Sequence, residues 1–141
     1  MPFLNTVMNN RKPKIIATTT GPGSFTSIRV QLATAIGFKV GYEADLFCPN
    51  TLEVLLEANP RHIPALDSFR GDFFCLINNE VKCMTKAELD EFNIPLCGDL
   101  GIPCKNLPEF LINYYHQHQT PELLSNPAPF YVRTPEYKKR W

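Results

Sequence analysis

The sequence predicts an α/β fold, on three observations. A compact β-branched run, Lys14-Ile15-Ile16-Ala17-Thr18-Thr19-Thr20, passes through Gly21-Pro22-Gly23 into a segment whose apolar residues recur at helical spacing. Two strand-like runs, Ile63 to Asp67 and Phe73 to Ile77, are joined by Ser68-Phe69-Arg70-Gly71-Asp72, and Asn78-Asn79 turns the chain into Val81-Lys82-Cys83 to complete a meander. Capped helices alternate with these strands. Asn50 caps one through Leu52, Val54, Leu55 and Leu56, and Thr85 with Glu88 forms a capping box for another that reaches Phe92.

In chain order, Phe3, Leu4, Val7 and Met8 give about two helical turns that stop at Asn9-Asn10-Arg11-Lys12-Pro13. The Lys14 to Thr20 strand follows, then a helix from Ser24 to Val40. Asp45 to Cys48 is a short strand ended by Pro49, and Pro60 closes the Asn50 helix. After the meander and the Thr85 helix, Ile94-Pro95-Leu96-Cys97 forms a strand that ends at Gly98-Asp99. A last helix follows Pro108, and Pro129-Phe130-Tyr131-Val132-Arg133 lies near the end.

Composition excludes several roles. The 14 basic and 14 acidic residues cancel, so no global field steers the chain to nucleic acid or membrane. Lys138, Lys139 and Arg140 before Trp141 read as a solvated terminus. Five cysteines, Cys48, Cys75, Cys83, Cys97 and Cys104, include no C-x-x-C pair and read mostly as small buried apolar groups in a reducing compartment. With no signal segment and no apolar run of about 20 residues, the expected location is the cytoplasm.

The Gly21 to Thr26 turn carries the main functional question. Gly21 and Gly23 permit positive φ and close approach, while Ser24 or Thr26 can cap the first turn of the helix, a geometry that can also hold an anion. A P-loop lysine is absent, and Thr26 stands where a dinucleotide motif needs its third glycine. On the helix, Phe25, Ile28, Leu32, Ile36 and Val40 make a core-facing stripe. Val30, Ala33, Gly37 and Gly41 lie on an adjoining face, interrupted by Arg29, and Ala33, Gly37 and Gly41 form a small-residue ridge along which a second helix can approach.

Thr20 to Thr26, followed by Ile28-Arg29, Leu32-Ala33-Thr34-Ala35 and Gly37, resembles the signature of the bacterial TsaB (YeaZ) family of tRNA threonylcarbamoyladenosine biosynthesis proteins. Asn50-Thr51-Leu52-Glu53, the hairpin residues Asp67, Arg70, Gly71 and Asp72 with Phe73-Phe74, Gly98-Asp99 and Pro129 to Arg133 resemble further family motifs in the same order. The chain differs in opening inside the family's first helix, in carrying Ser27 and Gln31 in place of glycines, and in carrying Phe69 in place of arginine.

The resemblance implies a partial actin-like ATPase (ribonuclease H-like) fold with the first strands missing: residues 1–60 a remnant of the N-terminal lobe with the Gly-Pro-Gly helix, 61–141 the C-terminal lobe. It implies a non-catalytic subunit without cofactor that dimerises with a TsaD-type catalytic subunit, in company with a TsaE-type ATPase, through Phe25, Ile28, Arg29, Leu32, Ala33, Ile36 and Gly37. It further implies self-association of the isolated chain and contact with tRNA only through the complex. The alternative is an anion- or nucleotide-binding enzyme that uses Gly21, Gly23, Ser24 and Thr26. Other chemistry has little support. His116 and His118, two apart, would point about 200° apart on a helix and are expected in solvent, while Asp67 and Asp72 read as turn residues rather than paired catalytic carboxylates.

Overall fold

A computed structural model describes residues 8–9, 11–103, 106–120 and 128–133. The expected helical turns at Phe3, Leu4 and Val7, Cys104, and the basic tail from Lys138 to Trp141 lie outside the described residues. The elements run β1 (Ile15–Ala17), α1 (Phe25–Tyr42), β2 (Asp45–Phe47), α2 (Thr51–Ala58), β3 (Ile63–Asp67), β4 (Phe73–Ile77), β5 (Glu80–Met84), α3 (Lys86–Asp90), β6 (Leu96–Gly98), β7 (Ile102–Pro103) and α4 (Leu107–Gln117).

β1 and β2 pair in parallel, with Ile16 opposite Leu46. Successive side chains of a strand face opposite sides. Ile16, Leu46 and Cys48 therefore pack against Ile28, Leu32 and Ala35 of α1, while Ile15 and Phe47 pack on the other side with Val54 of α2 and Leu111 and Tyr114 of α4. The expected strand from Lys14 to Thr20 is shorter than its composition suggests. The Thr18 and Thr20 amides still donate to the Phe47 and Pro49 carbonyls, but Pro49 has no N–H to continue the parallel ladder.

The second sheet has five strands in the order β5-β4-β3-β6-β7. β3, β4 and β5 form the expected meander, antiparallel throughout, and β3 pairs with β6 in parallel. Phe74 and Leu76 face Leu52 of α2, while Cys75 faces the opposite side with Ile63, Ala65 and Leu89. Thus α2 contributes Leu52 to the core of one sheet and Val54 to that of the other, and both are buried almost completely. Burial of each such side chain contributes about 1.5–3 kcal/mol. Two strand readings are corrected. β6 starts at Leu96 rather than Ile94, which is exposed, and β7 was not foreseen, since two exposed residues that include Pro103 carry no alternation to detect.

The core-facing stripe on α1 also needs correction. Ile28 and Leu32 are buried, but Ile36 is 40% and Val40 73% exposed. The cause is length: an 18-residue helix runs about 27 Å, whereas the three-residue strands beneath it run only about 10 Å. The later turns of α1 extend past the sheet that its first turns cover.

Candidate functional site

The Gly21 to Thr26 turn is tied down through its backbone. The Thr51 amide donates to the Gly21 carbonyl at 2.8 Å, and the Phe130 amide donates to the Thr20 carbonyl at 2.8 Å. Gly21 has φ of +104° and is followed by a cis bond to Pro22. A Cβ at Gly21 would lie 2.6 Å from Ile28 Cδ1, and one at Gly23 would lie 3.7 Å from Ile28 Cγ1, so the Ile28 side chain occupies the space beside both glycines. Ser24 is the N-cap, its hydroxyl accepting from the Ser27 amide at 3.3 Å, whereas Thr26 is exposed in the first turn.

The seven residues expected to meet a partner divide into three groups. Ile28 and Leu32 are buried in the chain's own core. Phe25 and Arg29 engage Tyr131: the Phe25 and Tyr131 rings stack at 4.8 Å, Arg29 Nε donates to the Tyr131 hydroxyl at 3.0 Å, and the Arg29 guanidinium lies 3.8 Å over the Phe25 ring. Ala33, Ile36 and Gly37 are exposed, together with Val30, Val40 and Gly41. A Cβ added at Gly37 or Gly41 meets nothing within 4 Å. At 100° per residue the exposed set spans about 140°, an apolar surface interrupted by Arg29, which falls between Ile36 and Val40. Gln31 and Ser27, the two departures from the family helix, fold back on their own chain. Gln31 donates to the Thr18 hydroxyl and, at 3.1 Å, to the Thr19 carbonyl, while Ser27 pairs with Ser24. Gln31 lies two residues, about 200°, from Ala33, so it points away from the ridge.

At the hairpin, Asp67 Oδ1 accepts from the Phe69 amide at 2.7 Å, the local turn bond expected of it, and Asp99 accepts from the Asp67 amide at 2.8 Å. Asp72 accepts from the Ser68 hydroxyl and pairs with Arg133; these bonds hold its carboxyl below the usual range, the Ser68 bond contributing most. Gly71 has φ of +89° and open space around it, and Arg70 is exposed. Phe69, at φ of +59°, is 75% exposed at the tip.

The expectation that both late histidines sit in solvent fails for His118. Its ring stacks on Tyr114 at 4.1 Å and its Nε2 meets Glu57, because the residue caps the end of α4, a helix that packs on α2. His116 is exposed. Burial, then the Glu53 and Glu57 carboxylates, push the Tyr114 hydroxyl up to about 12. Burial likewise raises the Cys48 and Cys75 thiols to about 11, in keeping with packing roles. Among the described residues no group of three or more His, Cys, Asp or Glu side chains could hold a metal ion, and no helix is long and apolar enough to cross a membrane.

Tyr131 is the site residue that sequence reasoning missed. The signal available was the Pro129 to Arg133 motif, which gives no hint of its partner 102 positions away.

The sequence matches the family described as TsaD: tRNA N6-adenosine threonylcarbamoyltransferase over residues 5–75. No curated protein matches the chain. Among solved structures, an uncharacterized protein with similarity to peptidase YeaZ from Pseudomonas aeruginosa is similar with a TM-score of 0.60 and 14% identity, over 94% of this chain and 82% of that one. YeaZ from Pseudomonas aeruginosa is similar over 60% of this chain and 48% of its own, at 18% identity and a TM-score of 0.42. The first of these likenesses is one of fold.

Proposed function

We propose, from the premise that this chain belongs to the TsaD family of tRNA N6-adenosine threonylcarbamoyltransferases, that it is a non-catalytic, TsaB-like scaffold subunit of that tRNA modification system. In this reading the chain docks a TsaD-type catalytic subunit through the outward face of α1, reaches tRNA only through the complex, and works beside a TsaE-type ATPase.

The observation that carries the reading is the exposed arc Val30, Ala33, Ile36, Gly37, Val40 and Gly41. It lies on a helix that is capped at Ser24 and anchored to the core through Ile28 and Leu32. Burying Ile36 and Val40 against a partner would contribute favourably. The open positions at Gly37 and Gly41 would let a second helix approach within about 8–10 Å. A docking role also suits the turn, whose glycines are packed against Ile28.

Titration of the purified chain with a purified TsaD-type subunit, followed by calorimetry, tests this. Saturable binding with a negative heat-capacity change, the marker of apolar burial, is the expected outcome. Absence of binding would overturn the scaffold reading.

A further inference from the structure

Four consecutive residues near the end of the described chain each attach to a different element. The Phe130 amide donates to the Thr20 carbonyl beside the Gly-Pro-Gly turn. Tyr131 stacks on Phe25 and accepts from Arg29, both on the first turns of α1. Val132 packs into the cluster of Leu52, Phe74 and Leu76, where α2 meets the second sheet. Arg133 pairs with Asp72 in the β3–β4 hairpin, with its guanidinium 5.9 Å over the Phe74 ring and beside the Cys83 thiol. The Asp72 side chain is 19% exposed, so the pair is partly screened from water.

We infer that residues 130–133 are a strap that couples the start of α1 to the Asp67 to Asp72 hairpin, so that loosening either end loosens the other. The two ends share none of the hydrogen bonds, ion pairs or ring contacts found among the described residues apart from those made through the strap. Because a segment of four residues has little freedom to relax one attachment without straining the next, its contacts at Phe25 and Asp72 hold together. The consequence for docking rests on the scaffold reading: a partner that shifts Phe25 and Arg29 would be sensed at the hairpin, and by linkage the hairpin would bias docking. The coupling itself does not depend on that reading.

The test is made on the free chain, where failure of coupling and failure of docking are separate results. A double-mutant cycle combines Phe25→Ala with Asp72→Ala, residues expected to be energetically independent if no strap joins them. The strap predicts that Phe25→Ala perturbs the unfolding equilibrium constant at least about threefold less in the Asp72→Ala background than in the parent. Phe25→Ala with His118→Ala, whose contacts with Glu57 and Tyr114 lie away from the strap, serves as the additive control. Hydrogen exchange gives a second measurement: Asp72→Ala should accelerate exchange at residues 20–29 as well as in the hairpin. A cycle departing from additivity by less than threefold, or exchange that changes only in the hairpin, would overturn the coupling.

Discussion

Gly21 and Ile28 meet so closely that a methyl group added at position 21 would lie 2.6 Å from Ile28 Cδ1. The contact fixes how α1 leaves the turn, because Ile28 is also a core residue, packed with Leu32 and Leu46. Gly21→Ala therefore brings two costs. A φ of +104° suits glycine, and a side chain there costs about 1–2 kcal/mol; overpacking against Ile28 costs about 1–3 kcal/mol more. Urea denaturation should show a loss of at least about 2 kcal/mol.

The two hydroxyls that the sequence offers as caps are distinguishable. Ser24 accepts from the Ser27 amide, while Thr26 lies exposed in the first turn. Ser24→Ala should cost about 1 kcal/mol in thermal or denaturant unfolding, and Thr26→Ala about 0.5 kcal/mol or less.

Phe69 holds φ of +59° while 75% exposed, so little packing offsets its backbone conformation. Phe69→Gly relieves about 1–2 kcal/mol of left-handed strain against an entropic cost of about 0.5–1 kcal/mol. A small rise in melting temperature is expected.

Acid should weaken the hairpin and the α3 cap. The Asp72 carboxyl is held below its ordinary 3.8, by Ser68 first and then Arg133, and Glu88 below its ordinary 4.5 by the Thr85 backbone and hydroxyl. A depressed folded value means that the unfolded chain takes up protons first as pH falls. The stabilisation is present in full above the ordinary values and is lost as pH drops through the folded ones. Urea midpoints measured from about pH 6 to about pH 3 should fall, and Asp72→Asn should flatten part of that slope.

Much of the fold is legible because its signals are local. Asn50 and the Thr85–Glu88 pair mark helix starts, and the strands from Ile63 to Asp67 and Phe73 to Ile77 form with the bounds their composition suggests. Where local pattern meets tertiary extent it misleads. Ile36 and Val40 continue the stripe of Ile28 and Leu32, yet the sheet beneath is too short to reach them. The site shows the same division. Positions on α1 are readable from helical phase, but the pairing of Arg29 with Tyr131, or of His118 with Glu57, depends on segments 102 and 61 positions apart meeting in space. No periodicity records such meetings.

The role of α1 is tested most directly by the affinity of a Gly37→Arg variant for a TsaD-type subunit. A Cβ at Gly37 meets nothing within 4 Å and arginine favours a helix interior over glycine by about 0.7 kcal/mol, so the variant should be at least as stable as the parent. Docking through the outward face predicts that this stably folded variant loses binding at least tenfold, a change of about 1.4 kcal/mol. Unchanged affinity would show that the partner, if it binds, does so elsewhere on the chain.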